Sequence, residues 1–86
     1  MQSVLSIDWP AGVAINLDAI GGPFIVESTR EAAILLMDHW PVGQGTAFLH
    51  ALDLCADALG DDVPAEEARL AFVAAAEEAH ILMRPQ

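Results

Sequence analysis

Between Val13 and Leu17 apolar positions alternate with Ala14, Asn16 and Asp18, the period of a strand buried on one face. Ile20-Gly21-Gly22-Pro23 follows, and its glycines suit a turn that needs positive φ. Phe24-Ile25-Val26-Glu27 then reads as a short return strand. Upstream, Leu5, Ile7 and Trp9 alternate with Ser6 and Asp8, so a third strand is expected there. The whole hairpin region is expected over about 4–27.

After Glu27 the period changes from two to 3.6. Ser28-Thr29-Arg30-Glu31 has the form of a capping box, with the Ser28 hydroxyl on the Glu31 N–H and the Glu31 carboxylate reaching back. A first helix is predicted over about 29–39, stopping near Trp40-Pro41. The second is predicted over 46–59, with Thr46 as N-cap and Gly60 in the left-handed position at its end. The third is predicted over 64–83, opened by Pro64 and the acids Glu66 and Glu67, and ended before Pro85. These elements make one α+β domain over residues 1–86, an antiparallel hairpin packed against three helices.

The helical faces differ in tidiness. In the second helix Phe48, Leu52, Cys55 and Leu59 share one side, and His50, Asp53 and Asp57 share the other. Cys55 in the apolar stripe, with no base in its helix, reads as a small buried hydrophobe. The first helix is expected to turn Ala33, Leu36, Met37 and Trp40 inward, and the third Ala68, Phe72, Ala75, Ala76 and Ala79. Trp40 is expected to pack with Phe48 and Phe72. That assignment leaves Ile34, Leu35, Leu70 and Ile81 among acids on the outer faces, a candidate subunit interface.

Composition sharpens this picture. Apolar residues make up 55% of the 86 and charged ones only 19%. A small domain buries a limited share of its surface, so self-association, as a homodimer, is expected. Thirteen acids oppose three bases, all arginine, for a formal charge of −10. Such a chain does not bind nucleic-acid phosphates, but its acidic face could dock on a basic protein surface. No stretch approaches the roughly 20 apolar residues of a membrane span. The N-terminus has no basic residue and meets Asp8 early, unlike a signal peptide. One cysteine cannot form an intrachain disulfide, and a cytoplasmic address is the simplest.

Candidate chemistry is sparse. His50, Asp53 and Asp57 lie at i, i+3 and i+7 and could present an imidazole and two carboxylates to a divalent metal. A solvated helix face accounts for the same residues, so no metal or other cofactor is assigned. The acids from Asp57 to Glu67 do not fit an EF-hand, because Gly60 precedes the paired aspartates and Pro64 follows them. No nucleophile elbow, phosphate loop or dinucleotide fingerprint occurs. An acyl carrier would need a serine in an Asp-Ser-Leu context, and Ser28 lies in Glu27-Ser28-Thr29. The chain therefore reads as a non-enzyme without catalytic residues.

Several blocks carry a resemblance: Ser28-Thr29-Arg30-Glu31-Ala32-Ala33, Trp40-Pro41, Gly45, Ala51, Cys55, Ala58-Leu59, Glu67-Ala68-Arg69, Ala71 to Ala76, and Glu78-Ala79. Together they resemble the small uncharacterised alphaproteobacterial proteins of domain-of-unknown-function family 982, over roughly two-thirds of the chain. Such proteins often have valine directly after the first proline, where this chain has Ala11-Gly12 before Val13. The resemblance implies a short single-domain bacterial protein with no assigned activity, and it carries over no functional residue. The functional expectation is a small acidic interaction module, homodimeric. The alternative is a metal- or small-ligand-binding protein using His50, Asp53 and Asp57.

Overall fold

A computed structural model describes residues 9, 11–17, 21–41 and 45–83. The elements follow the order β1 (Val13–Leu17), β2 (Gly22–Val26), α1 (Thr29–Asp38), α2 (Thr46–Leu59) and α3 (Ala65–Glu78). This is an α+β chain: an antiparallel hairpin followed by three helices. Val13 pairs with Val26, Ile15 with Phe24 and Leu17 with Gly22. Directly opposed residues share a face, so Val13, Ile15, Leu17, Phe24 and Val26 all point to the core side. Gly21 and Gly22 both have positive φ, as the turn chemistry requires. The strand expected over Leu5–Trp9 lies outside the described residues except for Trp9.

β1 gains its second backbone neighbour from the other end of the chain. Asn16 N–H donates to the Ile81 carbonyl and Met83 N–H to the Ala14 carbonyl, both at 2.9 Å, so Leu82 bridges to Ile15. The third helix was expected to reach residue 83; it stops at Glu78. His80 takes a φ of 61°, its N–H returns to the Glu77 carbonyl and that of Ile81 to Ala76. This is a Schellman ending, and it redirects the chain onto the sheet.

Capping explains the other boundaries. Ser28 accepts from the Glu31 N–H at 3.1 Å, and the Glu31 carboxylate accepts from the Glu27 N–H at 2.9 Å. The N-cap of α2 is Gly45, not Thr46, and it has no side-chain cap of its own. Its open N–H groups, on Ala47 and Phe48, donate instead to the two Glu78 oxygens at 3.2 and 3.1 Å. At the end of α2 the left-handed residue is Asp61, with φ 67°, rather than Gly60. Pro64 serves as the N-cap of α3.

The core lies between the sheet and the helices. Trp9 is almost fully buried, 5.6 Å from Phe72, and its indole N–H donates to the Thr29 hydroxyl at 3.1 Å. Trp40 stacks obliquely on Phe72 at 5.4 Å and on Phe48 at 6.5 Å, the cluster expected from the sequence. Ala68, Ala71, Ala75 and Ala76 of α3 are buried, and their small side chains allow close approach of α2. Cys55 is buried at the centre of the α2 stripe beside Ala51 and Phe48.

The inward face of α1 differs from the expected one. Ala32, Leu35 and Leu36 are buried, whereas Met37 is 71% exposed. Thr29 is itself buried beneath the Trp9 indole. That contact turns the helix so that Thr29, Ala32 and Leu36 lead, rather than Ala33 and Met37.

Candidate interaction surfaces

Among the described residues, two apolar surfaces stand out once the core is formed. The first is a seam on α2. Leu49, Leu52, Ala56 and Leu59 follow at i, i+3, i+7 and i+10, the spacing that keeps one stripe on a helix. Leu49 and Leu59 are each about half exposed, at 53% and 52%, Ala56 is exposed, and Leu52 is half-buried. The core takes Phe48, Ala51 and Cys55 from the adjoining face of the helix. The seam adjoins the core at Leu52, which packs against it, and opens outward at Leu49, Ala56 and Leu59.

The second surface is a groove of about 250 Å³ between β2 and α1, lined by Phe24, Glu31, Ile34, Leu35 and His39. Phe24 belongs to the core face of the hairpin, but it sits on the outer strand, where α1 does not close over it. Glu31 is held by its capping bond to Glu27, and His39 by its backbone bond to the Leu35 carbonyl at 3.0 Å. Beyond His39 a further hollow opens, lined in part by Asn16, Trp40 and Ile81.

The four residues expected to form a subunit interface are not gathered into one surface. Ile34 is 48% exposed and lines the groove. Leu35 is corrected: it is 6% exposed and belongs to the core, because α1 is rotated by the Thr29 anchor. Ile81 is corrected as well, since it lies beyond α3 in the segment paired with β1 and is half-buried. Leu70 is 56% exposed and projects from α3 among Glu66, Glu67 and Glu77 of its own helix. The sequence pattern places Leu59 with the core stripe and Leu49 with neither face, so this seam does not emerge from it. Its heptad spacing was the available signal.

His50, Asp53 and Asp57 are all exposed on the outer side of α2. Among the described residues no group of three or more His, Cys, Asp or Glu side chains could hold a metal ion. Arg69 pairs with Glu66 at 3.5 Å, one helical turn away, and its Nε also donates to the Ala11 carbonyl at 3.0 Å. That second bond clamps α3 to the approach of β1. No described helix is long and apolar enough to cross a membrane.

Comparison with known proteins gives family and fold without activity. The model of a family described as proteins of unknown function (DUF982) matches residues 10–83. Among solved structures, the chain is similar to the Agrobacterium tumefaciens protein Atu1219, determined by NMR as a structural-genomics target. The two share 40% identity and a TM-score of 0.78, over 100% of this chain and 87% of that one. No protein with a curated description matches.

Proposed function

The chain belongs to DUF982, a family of unknown function, and from that premise we propose that it is a small non-enzymatic protein-interaction module that assembles as a homodimer through α2. One observation carries this reading: Leu49, Ala56 and Leu59 are exposed along one stripe at heptad spacing, with the half-buried Leu52 between them. A second copy presents the same stripe, so two such helices cover each other in an isologous contact. Each leucine that becomes buried contributes on the order of 1 kcal/mol or more. Catalysis is left out of the reading because Ser28 is engaged as a helix cap and the exposed histidine of α2 has only solvated aspartates near it in sequence. The metal-binding alternative has no converging donor set among the described residues to support it.

Sedimentation velocity over about two decades of protein concentration tests the proposal. The wild-type chain is expected to sediment as a dimer at the upper end. The Leu49→Glu, Leu59→Glu variant is expected to remain a monomer with an unchanged far-UV spectrum, because both side chains are half outside the core already. A wild-type chain that stays monomeric throughout overturns the reading.

A further inference from the structure

The Trp9 N–H donates to the Glu27 carbonyl at 3.2 Å, and this bond sits at one end of the outer edge of β2. Which groups make up that edge follows from β1. The Asn16 N–H and the Ala14 carbonyl are bonded to Ile81 and Met83, so these two residues turn their polar groups away from β2. By the alternation of an antiparallel ladder, Val13, Ile15 and Leu17 turn theirs toward it. Their partners Val26, Phe24 and Gly22 face back, which leaves Pro23, Ile25 and Glu27 directed outward. Among the described residues, the Pro23 carbonyl and both polar groups of Ile25 have no partner there. Residues 5–8 lie outside the described residues, and the surroundings of Trp9 constrain where they can run.

Side-chain faces give the direction. In an antiparallel pair the bonded residues stand directly opposite each other and share a face. Trp9 does not share the face of Glu27. It is almost fully buried against Phe72, whereas Glu27 is exposed and has the parity of Ile25, on the side away from the core. An antiparallel pair would also need the Glu27 N–H, which the Glu31 carboxylate already holds at 2.9 Å. In a parallel pair the bonds are slanted, and a residue bonded to the Glu27 carbonyl stands opposite Ser28. Ser28 is buried and still extended, with φ −152° and ψ 157°, so a core-facing Trp9 fits beside it.

We propose that residues 5–9 of this chain form a strand parallel to β2 along its outer edge, and that Leu5 closes the groove between β2 and α1. Counting back from Trp9 in steps of two, the Ile7 N–H meets the Ile25 carbonyl and the Leu5 N–H the Pro23 carbonyl. The Ile25 N–H returns to the Leu5 carbonyl. Ile7 then stands beside Val26 and Leu5 beside Phe24, on the face of the buried Trp9. Leu5 covers Phe24 and Ile34, which are 38% and 48% exposed across the groove. Ser6 and Asp8 turn outward; Asp8 falls beside Glu27 on the solvated face, where salt screens the repulsion. The next donor asked of β2 would be the N–H that Pro23 lacks, so the strand ends near Leu5. Residues 81–83 already line the far edge of β1, and with residues 5–9 on β2 neither sheet edge is open to another chain.

The test uses the full wild-type chain, isotope-labelled for NMR. Through-space cross-peaks are expected from the Leu5 methyls to the Phe24 ring and the Ile34 methyls, and from Ile7 to Val26. The Ile25 amide is expected to exchange with solvent at least about a hundredfold more slowly than in an unstructured peptide. Absence of the Leu5–Phe24 contact, contacts from Ser6 or Asp8 to Phe24, or a freely exchanging Ile25 amide overturns the proposal. A sample mixing labelled and unlabelled chains separates contacts within one chain from those between two. Leu5–Phe24 cross-peaks found only between chains would assign the edge to a second copy and overturn it as well. Leu5→Asn and Ser6→Asn give a check that needs no spectrum. Leu5→Asn is expected to lower the melting midpoint by roughly 4 °C or more, and Ser6→Asn to change it by less than about 2 °C. Equal losses would overturn the inward placement of Leu5.

Discussion

Asp61 and His80 are the two non-glycine residues among those described with positive φ, at 67° and 61°. Each occupies the left-handed position of a Schellman ending, on α2 and α3 respectively. The Asp61 N–H bonds to the Ala58 carbonyl at 3.1 Å and that of Asp62 to Asp57 at 2.8 Å, the same two-bond pattern that closes α3. Aspartate and histidine tolerate this conformation better than most residues, yet a Cβ there still costs on the order of 1 kcal/mol relative to glycine. Part of that is offset by the greater freedom glycine has in the unfolded chain. His80→Gly and Asp61→Gly are therefore each expected to raise the unfolding free energy by roughly 0.5–1 kcal/mol. Urea denaturation checks this, and a lower midpoint for both variants would show that their side chains hold contacts outweighing the strain. The sequence points to Gly60 because glycine is the usual residue at this position. A choice between neighbouring positions depends on where the last helical bond forms, and that follows from packing.

At the scale of elements, one side chain of α3 caps the N-terminus of α2. The Glu78 carboxylate supplies the cap that Gly45 cannot, and a charged acceptor at a helix N-terminus is favoured by both hydrogen bonding and the helix dipole. Glu78→Ala is expected to cost about 1–2 kcal/mol, the usual range for a lost N-cap. A Cβ added at Gly45 would fall on that same carboxylate. Gly45→Ala should therefore displace it and cost about as much as removing it. The two changes made together should cost little more than either alone. Thermal unfolding of the single and double variants checks the cycle; additive losses would mean that Glu78 does not act through the α2 terminus. None of this coupling is legible locally, because Glu78 lies 30 residues from Phe48. The same holds for the Arg69 clamp, 58 residues from Ala11, and for the Trp9–Thr29 bond that rotates α1. What was legible is what neighbours in sequence decide: the Ser28–Glu31 box, the strand period from Val13 to Leu17, and the span of α2. Trp40 with Phe48 and Phe72 was legible because Phe48 and Phe72 stand on apolar helix faces and Trp40 directly follows the first helix, before Pro41. The α2 seam could be counted from spacing, while the pairing of residues 81–83 with β1 required the turn of the chain after Glu78.

Across the whole molecule, the governing quantity is charge density. Thirteen acids and three bases lie on a chain whose described residues have a radius of gyration of 12.1 Å. At about 0.01 M salt the Debye length is roughly 30 Å, so every carboxylate feels the others across the fold; at 0.1 M it is roughly 10 Å and distant pairs are screened. The folded chain concentrates these charges more than the unfolded one does, so their repulsion opposes folding. Screening also weakens attraction, but the Arg69–Glu66 ion pair is partly exposed and contributes little. Repulsion therefore dominates, and stability is expected to rise with salt. A gain of about 1 kcal/mol between 0.01 and 0.1 M sodium chloride would move the melting midpoint up by roughly 4–8 °C for a domain of this size. Circular-dichroism melts at one fixed low protein concentration check this, keeping any association constant in the comparison. Most of the rise should come below about 0.2 M, where screening changes fastest, which separates it from the general strengthening of apolar burial by concentrated salts. A flat or falling midpoint over that range would mean that the acids are arranged to avoid one another.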